Sequence, residues 1–136
     1  MSLSSSPRFL SRVLLLDAAS CLACAALQLG APSILPALTG LPAVLLLESG
    51  IFLLLYGAAL VWLARRTPIP ALAVRLLVAG NLGWALACVA LMIGPWVQPS
   101  AWGQAYLALQ AATVVVMAEL QWFGLRRQRV CRHAIA

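Results

Sequence analysis

The 136-residue sequence has few charged residues. They make up 9% of the chain, whereas an ordinary soluble domain carries roughly a quarter. Only three residues are acidic, and hydrophobic residues account for 64% of the total. This composition excludes a soluble globular domain. It also excludes a nucleic-acid-binding protein, because the net charge of +6 is not carried by a folded polar surface.

Several catalytic and cofactor motifs are missing. The one histidine, His133, follows the last apolar stretch, so no pair of intramembrane histidines could hold a haem. The sequence has no glycine-rich phosphate loop and no serine, histidine and acid combination of a hydrolase triad. We therefore expect that the protein is not an enzyme and that it carries no cofactor.

Four long apolar stretches account for most of the chain. A membrane-spanning helix needs about 20 such residues, and the alternating segments of a membrane β-barrel are not visible. The sequence therefore predicts one all-α domain over residues 1–136, a polytopic membrane protein with a bundle of four transmembrane helices. The predicted spans are approximately 9–29, 43–64, 71–93 and 104–125. Asp17 interrupts the first stretch, which we interpret as a retained helix and not as a signal peptide.

The basic residues, all of them arginine, indicate the orientation. Two lie at the start of the first span, two close the second and four follow the fourth, whereas the connections 30–42 and 94–103 carry no charge. Because positively charged loops stay in the cytoplasm, both termini are predicted to be cytoplasmic. The arginines after the fourth span are expected to contact anionic lipid headgroups: Arg126, Arg127, Arg129 and Arg132.

One nine-residue phrase occurs twice. Residues 22–30 read LACAALQLG, residues 86–94 read LACVALMIG, and the same spacing pairs Asp17 with Asn81. Both copies cross the membrane in the same direction, so the sequence predicts two similar helical hairpins with a site where they meet. Stripes of small residues are expected to contact neighbouring helices: Ala19, Ala23, Ala26 and Gly30 in the first span, Gly83, Ala87, Ala90 and Gly94 in the third, and Gly50 and Gly57 in the second.

All three acidic residues lie within predicted spans, where an ionisable side chain indicates a candidate functional site. Asp17 and Glu119 fall in the cytoplasmic half, and Asn81 and Tyr56 lie near the same depth. Arg75, the one arginine inside a span, could pair with Asp17 or Glu119. Two interpretations stay open: a set of groups that fixes helix packing, or a proton- or cation-binding cavity that opens to the cytoplasm.

Glu48 is the acidic residue of the outer half. The sequence places no cationic residue at its level, and its nearest polar residues by depth are Gln28, Gln104 and Gln110. Glu48 is therefore a candidate proton carrier, cation site or hydrogen-bonding partner for a ligand headgroup. A bridge between two helices is the structural alternative.

Cys21 and Cys24 form a C-x-x-C motif, which can be a redox pair or a soft-metal site. The four-helix disulfide-forming proteins of the DsbB and vitamin K epoxide reductase types differ, because this chain has no cysteine in its outer connections. The motif resembles that of MerC-type mercuric-ion membrane proteins in its first-helix position, although the tail here offers only Cys131 beside His133. The simpler alternative is a packing seam, which Cys88 would share in the repeat.

The phrases RVLLLDA, LLLYGAALVWLARR, NLGW and AELQWFGLRR resemble those of short four-helix proteins of the bacterial inner membrane. The resemblance implies a bacterial inner (cytoplasmic) membrane location and a four-helix bundle, and it implies no activity.

The function that we expect from the sequence is that of a small transporter-like or ligand-binding membrane protein. Glu48 would be its outer acidic site, and the inner polar set would comprise Asp17, Asn81, Arg75 and Glu119, with Gln110 and Tyr56 as further candidates. One alternative is thiol redox chemistry or soft-metal handling at Cys21 and Cys24. Another is an accessory subunit of a larger membrane complex. The expected partners are membrane lipids and either a second copy of the chain or a membrane partner protein.

Overall fold

The computed structural model describes the backbone of residues 8–135 and the side chains of residues 8–130. Regular structure in this range is entirely helical: α1 (Arg8–Gly30), α2 (Ile34–Thr39), α3 (Ala43–Ala64), α4 (Ala71–Ile93) and α5 (Ala101–Ile135). The four long helices are each long and apolar enough to cross a membrane. The predicted all-α fold with four candidate spans is thus confirmed. The last helix begins earlier than expected and continues well past residue 125.

The helices pack as two hairpins. α1 lies mainly against α3 and α4 mainly against α5, and contacts between α1 and α5 join the hairpins. Two glycines of α3 permit the close approach within the first hairpin. A Cβ atom at Gly57 would lie 2.9 Å from the side chain of Leu22, and one at Gly50 would lie 3.1 Å from those of Gln28 and Leu29. These glycines therefore serve the packing role that their spacing predicts.

The repeated stripes of small residues do not pack inside the chain. Ala19, Ala23 and Ala26 of α1 are exposed. A Cβ atom at Gly30 or Gly83 would meet no neighbouring atom within 4 Å. The expectation that the stripes contact a neighbouring helix is therefore not met at these positions, whereas Gly94 packs closely against Trp96 in the connection after α4. In a membrane protein, small-residue spacing identifies a helix face but does not specify which way that face turns.

One end of the bundle is fixed by contacts among α1, α3 and α5. Ser11 donates a hydrogen bond from Oγ to the carbonyl oxygen of Ala64, at 2.7 Å. The Phe9 ring meets the edge of Phe123, with ring centroids 6.4 Å apart. We call this end the arginine end, because it carries Arg8, Arg12, Arg65, Arg66 and Arg126.

The opposite end carries a short helix, α2, that the sequence analysis did not predict. Pro36 lies in the first turn of α2, where a backbone N–H is not needed. Ser100 holds α2 in place: its N–H donates to the Thr39 carbonyl oxygen at 2.8 Å, and its hydroxyl donates to that of Leu38 at 2.6 Å. Gly40 ends the helix with a φ of 70°, a left-handed conformation that favours glycine.

Candidate functional site

The carboxyl group of Asp17 is fully enclosed: the residue is 0% exposed, as is Gln121. Gln121 donates from Nε2 to Asp17 Oδ2 at 2.6 Å, and Asn81 donates from Nδ2 to the same oxygen at 3.1 Å. The Cys21 thiol contacts Asp17 Oδ1 at 3.8 Å. We call this set, together with Tyr56, the Asp17 cluster. It contains every hydrogen-bonding partner that the structure gives to the Asp17 side chain.

All four long helices contribute to the Asp17 cluster. Asp17 and Cys21 lie one turn apart on α1, Asn81 is on α4 and Gln121 is on α5. From α3, the Tyr56 hydroxyl contacts Asn81 Oδ1 at 3.5 Å. Asn81 Nδ2 also lies 3.3 Å from Gln121 Oε1. The cluster thus sits where the two hairpins meet, and its central contact joins the two residues that the repeat pairs, Asp17 and Asn81.

The electrostatics of the cluster are those of a carboxylate held by neutral donors. A carboxylate only accepts hydrogen bonds, and the amide nitrogens of Asn81 and Gln121 both point at it in the assigned amide orientations. Among the residues that the structure describes, no positively charged side chain contacts Asp17. Burial of a charge without a counter-ion is costly, so a ligand that neutralises Asp17 would be favoured there.

A metal cation fits this arrangement poorly. Cations in oxygen-rich sites need several oxygen ligands, whereas two of the groups nearest to Asp17 present N–H donors. Among the described residues, no group of three or more histidine, cysteine or acidic side chains could hold a metal ion. The Asp17 cluster is therefore better suited to a proton than to a metal ion.

The other charged candidates lie on the outside of the bundle. Arg75, Glu119 and Glu48 are all exposed, and the structure shows no ion pair or hydrogen bond for them among the residues it describes. Arg75 therefore forms no salt bridge with Glu119 or Asp17, although the depths of these residues in the predicted spans allowed one. Depth along a helix fixes the level of a residue, but the rotation of the helix decides whether its side chain faces inward.

The glutamines near the level of Glu48 all bond elsewhere. Gln110 accepts a hydrogen bond from Trp84 Nε1 at 3.0 Å, and Gln104 donates to the backbone carbonyl of Met92 at 3.3 Å. Gln28 bonds to Tyr106, as described below. The predicted outer polar site around Glu48 is thus not assembled from these side chains.

An aromatic stack joins α3 to α4 beside the Asp17 cluster. Phe52 stacks on Tyr56 at a centroid distance of 5.8 Å and on Trp84 at 5.6 Å. Because Trp84 in turn donates to Gln110, the stack extends to α5. The stack fixes the position of Tyr56, whose hydroxyl contacts Asn81.

A second polar network lies nearer the end that carries α2. Gln28 is 3% exposed and donates from Nε2 to the Tyr106 hydroxyl at 2.7 Å. Ser49 donates to Gln28 Oε1 at 3.1 Å, and the Cys24 thiol lies 3.4 Å from the same tyrosine hydroxyl. The network joins α1, α3 and α5 through neutral groups.

The two thiols of the C-x-x-C motif have separate partners. Cys21 contacts Asp17, and Cys24 contacts Tyr106. Both are free thiols, as is Cys88. Cys21 and Cys88 are almost fully buried in the apolar core, at 5% and 4% exposure. This placement favours the packing interpretation of the cysteines.

Gln121 and Tyr106 are central to these networks, and neither was predicted from the sequence as a site residue. A signal for Gln121 was present. It lies eleven residues after Gln110, close to three helical turns, so an inward-facing Gln110 implies an inward-facing Gln121. Glu119 was instead the residue of this helix that was predicted to join the inner polar set. Residues two apart on a helix face different sides, and the structure turns Glu119 outward.

Several arginines at the arginine end lie over aromatic rings. Arg126 lies over Trp122 at 5.4 Å, Arg127 over Phe123 at 4.2 Å, and Arg66 over Trp62 at 4.0 Å from the ring centroid. Arg129 is exposed, and the side chain of Arg132 lies outside the described residues.

Comparison of the chain with protein-family models, with curated proteins and with solved structures finds no match. The assignment of a site therefore rests on the geometry described above.

Proposed function

We propose that the protein is a small, non-enzymatic membrane protein of the transporter or ligand-binding type, with Asp17 as its proton-binding group. One observation carries this proposal: a fully buried carboxyl group accepts its hydrogen bonds from neutral groups alone. Ionisable residues inside membrane spans commonly mark ion or proton pathways. A proton is the smallest ligand that neutralises the carboxylate, and it needs no cavity.

Protonation would change the contact between the hairpins. The ionised carboxyl group accepts from Asn81 and Gln121, which belong to the second hairpin, whereas Asp17 belongs to the first. A protonated carboxyl group becomes a donor, and an amide of Asn81 or Gln121 would present its oxygen to it. The groups that face Asp17 from the four helices are neutral residue types: Cys21, Tyr56, Asn81 and Gln121. Binding of a proton at Asp17 would therefore change how the two hairpins pack against each other.

The orientation and membrane belong to the same proposal. The arginine end would face the cytoplasm of a bacterial inner membrane, with both termini on that side. The distribution of the arginines supports this arrangement, since the connections at the opposite end carry no charge.

Infrared difference spectroscopy tests the proton site. The protein, reconstituted in liposomes, is titrated with acid while the carboxylic acid C=O stretch is recorded. We expect a band that disappears in Asp17→Asn, because this variant keeps the shape of the side chain and cannot take up a proton. Glu48→Gln and Glu119→Gln are matched controls, since their carboxyl groups are exposed, and they should keep that band.

The same liposomes, loaded with a pH-sensitive dye, report whether the proton crosses the membrane. Proton uptake that depends on Asp17 would support the transporter form of the proposal. A carboxylic acid band that depends on Asp17, without proton flux across the membrane, would support the ligand-binding form. A spectrum identical in the native protein and in Asp17→Asn would contradict both forms.

A second candidate is an accessory subunit or homodimer, and the exposed charges favour it. Glu48, Glu119 and Arg75 lie within apolar helices but face away from the bundle. A charged side chain at the centre of a span costs on the order of 2.5–3.5 kcal/mol, which contacts with a partner helix would reduce. Cross-linking in native membranes tests this function: we expect Glu119→Gln to weaken any captured complex.

Thiol chemistry is the enzyme alternative. Cys21 and Cys24 bind different neighbours and are free thiols. We expect Cys21→Ser and Cys24→Ser to leave proton binding unchanged. Loss of mercuric-ion binding or of thiol–disulfide exchange in these variants would instead support a soft-metal or redox role.

A further inference from the structure

A shallow surface cavity of about 330 Å³, open to the outside of the bundle, lies along the last two turns of α3 at the arginine end. The helix ends at Ala64, so that two consecutive arginines follow its last turn. An exposed tryptophan and one apolar residue lie about one turn before these arginines, and a second apolar residue lies about two turns before them. The lining residues are Ala58, Val61, Trp62, Arg65 and Arg66.

The arginines supply the polar end of this cavity. Guanidinium groups bind phosphate through paired N–H donors, and two such groups offer enough donors for the oxygens of one anionic phosphodiester. The Arg66 guanidinium lies 4.0 Å from the Trp62 ring centroid, an arrangement that holds it beside the cavity. Both arginines are exposed, so their donors are accessible to a ligand.

The rest of the cavity wall, which continues along the helix, is apolar. Ala58 and Val61 line it toward the centre of the predicted span, and Trp62 is 59% exposed at its side. Tryptophan is typical of the boundary between headgroups and acyl chains. A cavity that is cationic at one end and apolar along the span fits an amphiphile with a phosphate headgroup.

The backbone around the cavity is anchored. Ser11 bonds to the carbonyl of Ala64, directly before the two arginines. Ile69, just beyond them, is buried at 6% exposure in the core. The connection between α3 and α4 therefore holds both arginines at the end of the bundle.

We propose that this cavity binds the headgroup of one anionic phospholipid. The phosphodiester lies between Arg65 and Arg66, and the upper part of an acyl chain follows Ala58 and Val61. Basic pockets at the ends of transmembrane helices are suited to such headgroups. This site is distinct from the arginines that follow residue 125, where α5 continues as a helix to Ile135.

Native mass spectrometry of the full-length protein tests the proposal. The protein is released from micelles that contain phosphatidylglycerol or, in parallel, zwitterionic phosphatidylcholine. We expect one retained phosphatidylglycerol and no comparable retention of phosphatidylcholine. A third arm with inorganic phosphate alone separates the lipid headgroup from a soluble anion.

Two charge-neutral variants distinguish a shaped site from general electrostatic attraction. Ala58→Phe fills the cavity and should abolish retention of the lipid. Ala59→Phe adds the same ring at the next residue, which does not line the cavity, and should retain it. Both positions are exposed, so neither ring disturbs the core.

The arginines are tested in the same assay. Arg65→Gln combined with Arg66→Gln should weaken phosphatidylglycerol binding on the order of 30-fold, from the usual contribution of two basic residues near anionic lipid. Arg12→Gln removes an exposed charge elsewhere at this end, outside the cavity, and should leave the retained lipid in place.

Three results would overturn the proposal. The first is equal lipid retention by Ala58→Phe and Ala59→Phe, and the second is equal binding of the two lipids. The third is binding of inorganic phosphate without binding of phosphatidylglycerol, which would make the ligand a soluble anion.

Discussion

Replacement of Gln121 by methionine is the most direct test of the Asp17 cluster. Methionine has a similar length and fills irregular space in a core, so the change removes the amide while it largely preserves packing. The lost contact is the shortest one to Asp17, 2.6 Å from Gln121 Nε2 to Asp17 Oδ2. Asn81 and the Cys21 thiol would remain as the partners of the carboxyl group.

The expected loss of stability depends on the charge of Asp17. A hydrogen bond to a charged group contributes about 1.5–3 kcal/mol, and the short distance favours the middle of that range, about 2 kcal/mol. Neutral hydrogen bonds between membrane helices average only about 0.6 kcal/mol. In an Asp17→Asn background, Gln121→Met should therefore cost about 0.6 kcal/mol. The difference gives a coupling free energy of about 1.4 kcal/mol between the two positions.

Reversible unfolding in mixed micelles with increasing SDS measures these free energies of unfolding. The double-mutant cycle needs four proteins: the native chain, each single variant and the double variant. Gln110→Met is the matched control, because Gln110 is the same residue type on the same helix and accepts from the neutral Trp84 indole. It should cost about 0.6 kcal/mol in either background.

Additive effects of Gln121→Met and Asp17→Asn, within about 0.5 kcal/mol, would refute the reasoning. That result would mean that the carboxyl group is not held as a charge by this amide. A coupling of the same size for Gln110→Met would also refute it, since the effect would then not be specific to the Asp17 cluster.

Three further predictions follow from the packing and the exposed charges. Gly57→Val should lower the free energy of unfolding by about 1–3 kcal/mol, because its Cβ would lie 2.9 Å from a neighbouring side chain. Gly83→Val should have little effect on packing, because open space surrounds that position. Unfolding in SDS compares the two variants. If two copies pair through their outer faces, Arg75→Glu and Glu119→Arg should each be monomeric alone and form a mixed dimer together, which single-molecule photobleaching in liposomes detects. No mixed dimer would contradict that pairing. Tyr106→Phe removes the hydroxyl that accepts from a buried glutamine amide and should cost about 1 kcal/mol in SDS unfolding; a loss near zero would show that the amide finds another partner.

The sequence predicted the number and the type of the long helices well. Hydropathy is summed along the chain, and a run of about 20 apolar residues suffices to predict a membrane-spanning helix whatever its neighbours are. The bounds of α3 and α4 agree with the predicted spans 43–64 and 71–93. The short α2 was not predicted, because its stability comes from contacts with Ser100 and Gly103, far along the chain.

The contacts of the polar residues were predicted less completely. The repeat makes Asp17 and Asn81 equivalent positions, the sequence placed them near the same depth, and the structure shows them in contact. Gln121 was overlooked, although it makes the shortest contact to Asp17.

The sequence by itself determined that the chain forms four apolar helices with an arginine end, because length, hydropathy and charge are properties of the residues alone. Only the tertiary structure decided which side of each helix faces inward. In a soluble helix the polar side reveals that choice, but lipid is as apolar as the protein core, so these helices are apolar on all sides. Rotation is then set by packing: Gly57 against Leu22 closes the first hairpin, Asp17 lies inside the bundle and Glu119 lies outside.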